Sequence, residues 1–123
     1  MLTVYGIPNC QTVKKARQWL QDQGLEYAFH DYKKQGVDAD WLRDCVDQLG
    51  WEVLVNRRGT TWRQLPAEEK QALLEALEPS AQQALAIQLM SAHPSLIKRP
   101  LVTGCTPLLV GFDAEIWQQQ LLS

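Results

Sequence analysis

The chain has 123 residues, 46% hydrophobic and 21% charged, with 12 Lys and Arg against 14 Asp and Glu for a formal net charge of −2. This ordinary globular composition excludes intrinsic disorder, and the lack of a basic block argues against direct nucleic-acid binding. Apolar runs are too short to span a bilayer, so no membrane role is expected. The opening Met1-Leu2-Thr3-Val4-Tyr5-Gly6 has no basic region and meets Pro8 too early for a secretory signal. Cys10, Cys45 and Cys105 are odd in number and widely spaced. That spacing opposes a disulfide framework or a zinc site, so no metal is expected; it favours free thiols in a reducing, cytoplasmic setting.

Leu2 to Tyr5 reads as a strand closed by the Gly6-Ile7-Pro8-Asn9 turn signals. From Thr12 the pattern turns helical, with Val13, Ala16, Arg17, Trp19 and Leu20 on or beside one face and Gly24 as the stop. Leu25 to Tyr32 predicts a second strand. Asp38 is a plausible N-cap for a helix carrying Trp41, Leu42, Cys45, Val46 and Leu49 and ending at Gly50. Trp51 to Leu65 reads as irregular. Pro66 opens a helix through Leu77, Pro79 interrupts it, and Ser80 to Ala92 forms another. Leu96 to Thr103, with Pro100 inside, and Leu108 to Gly111 predict a hairpin around Gly104-Cys105-Thr106-Pro107, and Asp113 caps a last helix. The order is βαβα, helices, then ββα, which predicts one α/β domain with an all-helical insert over about residues 38–93.

Cys10 stands between the first strand and the first helix. There a thiol faces unpaired backbone N–H groups and the positive end of the helix dipole, both of which favour the thiolate, and Lys14 follows one turn later. A thiolate is the nucleophile of redox and acyl-transfer chemistry. The plainer alternative is a small buried hydrophobe beside a turn. Val13 occupies the second position of a C-x-x-C pair, so the site closes no local disulfide and must use an outside thiol or a distant cysteine. Cys45 falls on an apolar helix face and reads as core. Cys105, in the hairpin turn, is a resolving candidate if the last strands run beside the first. Arg57, Arg58 and Arg99 suit recognition of carboxylates or oxyanions, with solvated surface charge as the alternative for each.

The segments Tyr5-Gly6-Ile7-Pro8-Asn9-Cys10-Gln11-Thr12-Val13-Lys14-Lys15-Ala16-Arg17, Asn56-Arg57-Arg58-Gly59-Thr60-Thr61-Trp62, Pro94-Ser95-Leu96-Ile97-Lys98-Arg99-Pro100 and Val110-Gly111-Phe112 together resemble the arsenate reductase-like ArsC/Spx/YffB family, and its YffB branch most. The resemblance runs through essentially the whole chain in matching order. It implies a thioredoxin-like fold in which the helical insert separates βαβ from ββα. It implies Cys10 as the redox cysteine and Pro100 as a cis-proline facing it. An open edge beside Pro100 is expected to leave backbone groups free to pair with a peptide-like substrate such as glutathione. Arg58 and Arg99 match arginines lining the thiol site, with Arg57 the alternative match in that loop, and Lys14 stands where the family often has a basic residue.

The departures separate the branches. The family's arsenate reductases have a histidine where this chain has Gly6, and a third arginine that is missing between Val102 and Phe112. A lost charge-assisted contact is worth ~1.5–3 kcal/mol, an order of magnitude or more in oxyanion binding. Spx-type regulators, which bind RNA polymerase, usually carry a C-x-x-C switch that Val13 removes. The resemblance therefore implies a glutathione-dependent thiol–disulfide reductase that binds no resident cofactor and takes glutathione as co-substrate. An Spx-like regulator and an arsenate reductase are the alternatives.

Overall fold

The computed structural model describes residues 1–122 and separates into two compact units, one of residues 1–35 with the segment from Lys98 onward, the other Gly36–Ile97. In the first unit, β1 (Leu2–Gly6), β2 (Tyr27–Asp31), β3 (Leu101–Thr103) and β4 (Leu109–Val110) form a sheet of order β2-β1-β3-β4. β1 and β2 are parallel, with Gly6 opposite Asp31; β1 and β3 are antiparallel, with Tyr5 opposite Leu101 and Thr3 opposite Thr103. β4 runs antiparallel to β3.

Helices α1 (Gln11–Asp22) and α8 (Ala114–Leu122) supply the other half of this unit's core. Val13, Ala16 and Leu20 recur at helical spacing and are buried, and Val4, Ala16, Leu20, Val102, Leu109 and Trp117 form one cluster. Trp117 meets Trp19 and Phe112 edge-on, at 5.9 and 4.9 Å between ring centroids, and its indole N–H donates to the Gly111 carbonyl at 3.2 Å. At the end of α1, Leu25 N–H reaches the Leu20 carbonyl and Gly24 N–H the Gln21 carbonyl, both at 3.0 Å, the Schellman pairing that Gly24 signalled. Asp113 caps α8 by accepting from Glu115 N–H and Ile116 N–H.

The second unit is helical: α3 (Ala39–Leu49), α4 (Trp51–Leu54), α5 (Thr60–Gln64), α6 (Ala67–Glu75) and α7 (Pro79–Ala92), then a 3₁₀ turn at Pro94–Leu96. Asp38 caps α3 through Asp40 N–H at 3.0 Å, and Leu42, Cys45 and Val46 point inward as their spacing predicts.

Several boundaries differ from expectation. The stretch read as irregular, Trp51 to Leu65, contains α4 and α5 and pairs Val55 with Ile97 in an isolated bridge; single-turn helices are too short to show periodicity. Pro79 begins α7 instead of interrupting a helix, since its missing N–H is an orphan there anyway. The residues before it are extended, so α6 stops at Glu75 and Leu77 lies outside any helix, 95% exposed. The strand expected from Leu96 begins only at Leu101, because Leu96 closes the 3₁₀ turn and Pro100 lacks the N–H to start a ladder. Tyr32 leaves β2 for α2 (Tyr32–Gln35), where Asp31 accepts from Lys33 N–H at 2.9 Å.

Candidate functional site

The short Ile7–Cys10 connection carries the chain from the end of β1, an interior strand, over the end of the sheet into α1. Cys10 takes the N-cap position with extended backbone (φ −94°, ψ 127°) and is half-buried. Its carbonyl accepts from Lys14 N–H at 2.9 Å, the first bond of the helix. The side chain closes no capping bond of conventional geometry, yet its surroundings favour charge on sulfur. Burial works to raise the thiol pKa, but the N–H of Val13, the Arg99 guanidinium and the N–H of Thr12 together outweigh it, and the pKa falls below the ordinary thiol value. The cation at the sulfur is thus Arg99, from the segment entering β3. Lys14, expected to share this task, is exposed on the first turns of α1.

The Arg99–Pro100 bond is cis, as the resemblance implied, and Pro100 is buried. The register of β1 with β3 sets Arg99 and Pro100 at the same end of the sheet as Gly6 and Cys10. The strand that follows is not an open edge, as expected for peptide pairing: β3 lies between β1 and β4, and the Pro100 carbonyl accepts from Gly111 N–H at 2.8 Å. Backbone pairing with a substrate past Pro100 is therefore closed off.

Gly6 is buried, and its role is steric. A Cβ there would lie 2.8 Å from Val13 Cγ2 and 3.7 Å from Arg99 Cβ. Val13, itself fully buried, fills the space a side chain at position 6 needs. Nothing in the sequence signals this contact between residues separated by a loop; it follows from how α1 folds back over the end of β1.

Arg58 belongs to the helical unit, in the turn entering α5. Its N–H donates to Asn56 Oδ1 at 3.2 Å, while Asn56 N–H is held by the Leu96 carbonyl at 2.8 Å, and the Arg58 side chain is exposed. Arg57 differs: its guanidinium carbon sits 5.9 Å from the Trp51 ring centroid, a cation–π placement that occupies it. The sheet unit brings Cys10, Arg99 and Pro100 together, with Lys14 one turn along α1; Arg58 is presented by the other unit.

The remaining thiols are poorly suited to attack. Cys45 is 2% exposed on α3, and burial with the neighbouring Asp44 charge pushes its pKa up to about 11. Cys105 is raised by burial despite the N–H of Leu109, and its sulfur lies 3.8 Å from the Val102 carbonyl. The last strands do run beside the first, but antiparallel. A Cβ on Gly104 would run into the Met1 carbonyl, so Cys105 sits at the start of β1 and Cys10 beyond its end. Four strand steps of ~3.3 Å part those ends, well over the ~7 Å Cα limit for a disulfide. Cys105 cannot resolve a Cys10 disulfide in this fold.

Alkylation with iodoacetamide, followed by peptide mapping across pH, should show Cys10 titrating below the ordinary thiol value of about 8.5 and Cys45 unreacted in the folded protein. In Arg99→Ala the inflection should move upward and the neutral-pH rate fall roughly tenfold, the low end for a charge-assisted bond because the sulfur is half-exposed. An inflection unchanged by that substitution would show that Arg99 does not act on the sulfur.

The profile of the ArsC family matches residues 5–120. The chain belongs to the ArsC family. It is 42% identical over 118 residues to an uncharacterised protein of Haemophilus influenzae, covering 96% of both chains. It is 24% identical over 117 residues to the global transcriptional regulator Spx 1 of Lactococcus lactis, covering 94% of this chain and 84% of the regulator. The solved YffB protein superimposes with a TM-score of 0.86 at 40% identity, covering 98% of this chain and 99% of the other. The ArsC-type, thioredoxin-like architecture expected from the motifs is therefore the fold. Among the described residues, no helix is long and apolar enough to cross a membrane, and no cluster of His, Cys, Asp and Glu could hold a metal ion.

Proposed function

We propose that this ArsC-family protein is a glutathione-dependent thiol–disulfide oxidoreductase that works through one cysteine. The Cys10 thiolate attacks the glutathionyl sulfur of a mixed disulfide, the substrate thiolate leaves, and Cys10 carries the glutathione. The thiolate of a second glutathione then attacks that sulfur, releasing oxidised glutathione and restoring Cys10. Arg99 and Lys14, both in the sheet unit, are the cations assigned to the carboxylates of glutathione, and Pro100 shapes the wall beside the sulfur. The supporting observation is an activated Cys10 whose sheet unit offers no second thiol within bonding distance. Unpaired cysteines fit a reducing compartment, so the cytoplasm is the setting proposed. Mass spectrometry after incubation with oxidised glutathione should find the adduct on Cys10 alone, and added reduced glutathione should remove it. An adduct on Cys105 instead, or none, would defeat the reading.

The likeness to Spx 1 supports a second reading, a regulator that docks on RNA polymerase with Cys10 as sensor or relic. Co-purification with polymerase, unchanged in Cys10→Ser protein, would favour it over the enzyme. Arsenate reduction is the least supported activity. Position 6 carries no side chain, Arg57 is held over Trp51, and the third arginine is missing. Arsenate turnover coupled to glutathione and glutaredoxin should lie at least about tenfold below that of a family arsenate reductase, the effect of one lost charge-assisted contact.

A further inference from the structure

The two units differ in charge. Residues 1–35 and 98–123 hold seven Lys and Arg against five Asp and Glu, a net of +2, whereas residues 36–97 hold five against nine, a net of −4. Within the first unit the topology gathers its cations at one end. Lys14 and Lys15 open α1 just beyond β1; Lys33 and Lys34 follow β2, which is parallel to β1; Lys98 and Arg99 enter β3, which is antiparallel. All six therefore stand at the end of the sheet where Cys10 lies. The five lysines are exposed, and among the described residues none enters an ion pair. The nearby acids are fewer: Asp31 is buried and occupied by the N–H groups of α2, while Asp113 and Glu115 lie at the start of α8. Arg17, the unit's remaining cation, is spent elsewhere, 4.0 Å from the Phe29 ring centroid and bonded to the Tyr27 hydroxyl. Asp22 and Glu26 fall at the opposite end, where α1 finishes and β2 begins.

Resting on the thiol-exchange reading, we propose that this lysine-lined end of the sheet docks an acidic polypeptide segment that carries the disulfide presented to Cys10. One glutathione needs only the few cations already assigned to it. Lys15, Lys33, Lys34 and Lys98 extend positive charge across two helix starts and a strand entry, the scale of a peptide. Such a field raises the encounter rate of an anionic partner and weakens with salt. A nucleic acid fits less well, because the whole chain is net negative and carries no long basic run to track a phosphate backbone.

The test uses two synthetic peptides, each with one glutathionylated cysteine, flanked by Glu and Asp in one and by Lys in the other. Reduced protein in excess is mixed with each and release of the peptide thiol is followed in a single turnover: Cys10 sulfur bonds to the glutathionyl sulfur and the peptide thiolate departs. At low salt the acidic peptide should react about tenfold faster or more, and in molar salt the two should agree within roughly twofold. The variant Lys15→Gln/Lys33→Gln/Lys34→Gln/Lys98→Gln, checked for folding by circular dichroism, should lose the preference yet react normally with uncharged hydroxyethyl disulfide. Equal rates for the two peptides, a preference that survives in the variant, or retention of an oligonucleotide with no preference for the acidic peptide would overturn the docking proposal. Failure to react with hydroxyethyl disulfide would instead overturn the exchange reading itself, and the proposal with it.

Discussion

Cys10→Ser protein should exchange no glutathione above the uncatalysed background, while Cys45→Ala and Cys105→Ala proteins should keep the wild-type rate within about threefold. Serine preserves the size and position of the side chain, but its hydroxyl stays protonated where the thiol ionises and it cannot form a mixed disulfide. The other two thiols have raised pKa values, Cys45 is shut inside α3's buried face, and Cys105 lies a strand length from the chemistry. Alanine is the better substitute at Cys45, since a serine hydroxyl buried without a partner costs about 1–3 kcal/mol and would confound activity with unfolding. A glutathionylated peptide with reductase-coupled recycling of oxidised glutathione gives the rate. Residual activity in Cys10→Ser above roughly a tenth of wild type, far more than a lost nucleophile permits, would place the chemistry on another group.

What could be read from the sequence follows the range over which each signal acts. The N-caps Asp38 and Asp113, the stop at Gly24 and the inward spacing of Val13, Ala16 and Leu20 are set by near neighbours, and they stand as expected. Cys10 was legible for the same reason: a thiol between a strand and a helix meets backbone N–H groups that depend on local geometry alone. Arg99 needed tertiary structure. Its part in holding the thiolate exists because β3 runs antiparallel beside β1, and composition offers no hint of that against Lys14, which sits at the right spacing on α1 but stays exposed. Pro100 shows both cases at once: the resemblance gave its cis bond, whereas the open edge inferred beside it was closed by β4. Cys105 stayed ambiguous until strand direction was known, since a parallel β3 would have carried the turn toward Cys10 and the antiparallel one carries it away.

Gly6→Ala should destabilise the protein by about 1–3 kcal/mol, the range for overpacking a filled core, and Gly6→Ala combined with Val13→Ala should cost less than the two single changes summed. The motive is the 2.8 Å separation between a Cβ at position 6 and Val13 Cγ2, closer than carbon atoms tolerate, in a place where both residues are buried and the helix start cannot retreat without moving Cys10. Truncating Val13 alone leaves a cavity, whereas truncating it in the Gly6→Ala background lets the new methyl group occupy the vacated volume, so the double-mutant cycle should show coupling of the order of 1 kcal/mol or more. The same contact joins two departures of this chain, Gly6 from the arsenate reductase pattern and Val13 from the C-x-x-C switch of the Spx-type regulators. The histidine expected at position 6 and the valine at position 13 compete for one volume, so Gly6→His should be more disruptive than Gly6→Ala and should gain no arsenate activity while Val13 remains. Urea unfolding of the four proteins in the cycle gives the stabilities, and alkylation of Cys10 in each reports whether the helix start has shifted. Additive costs would mean that position 6 is glycine for a reason other than Val13, and the link between the two departures would be lost.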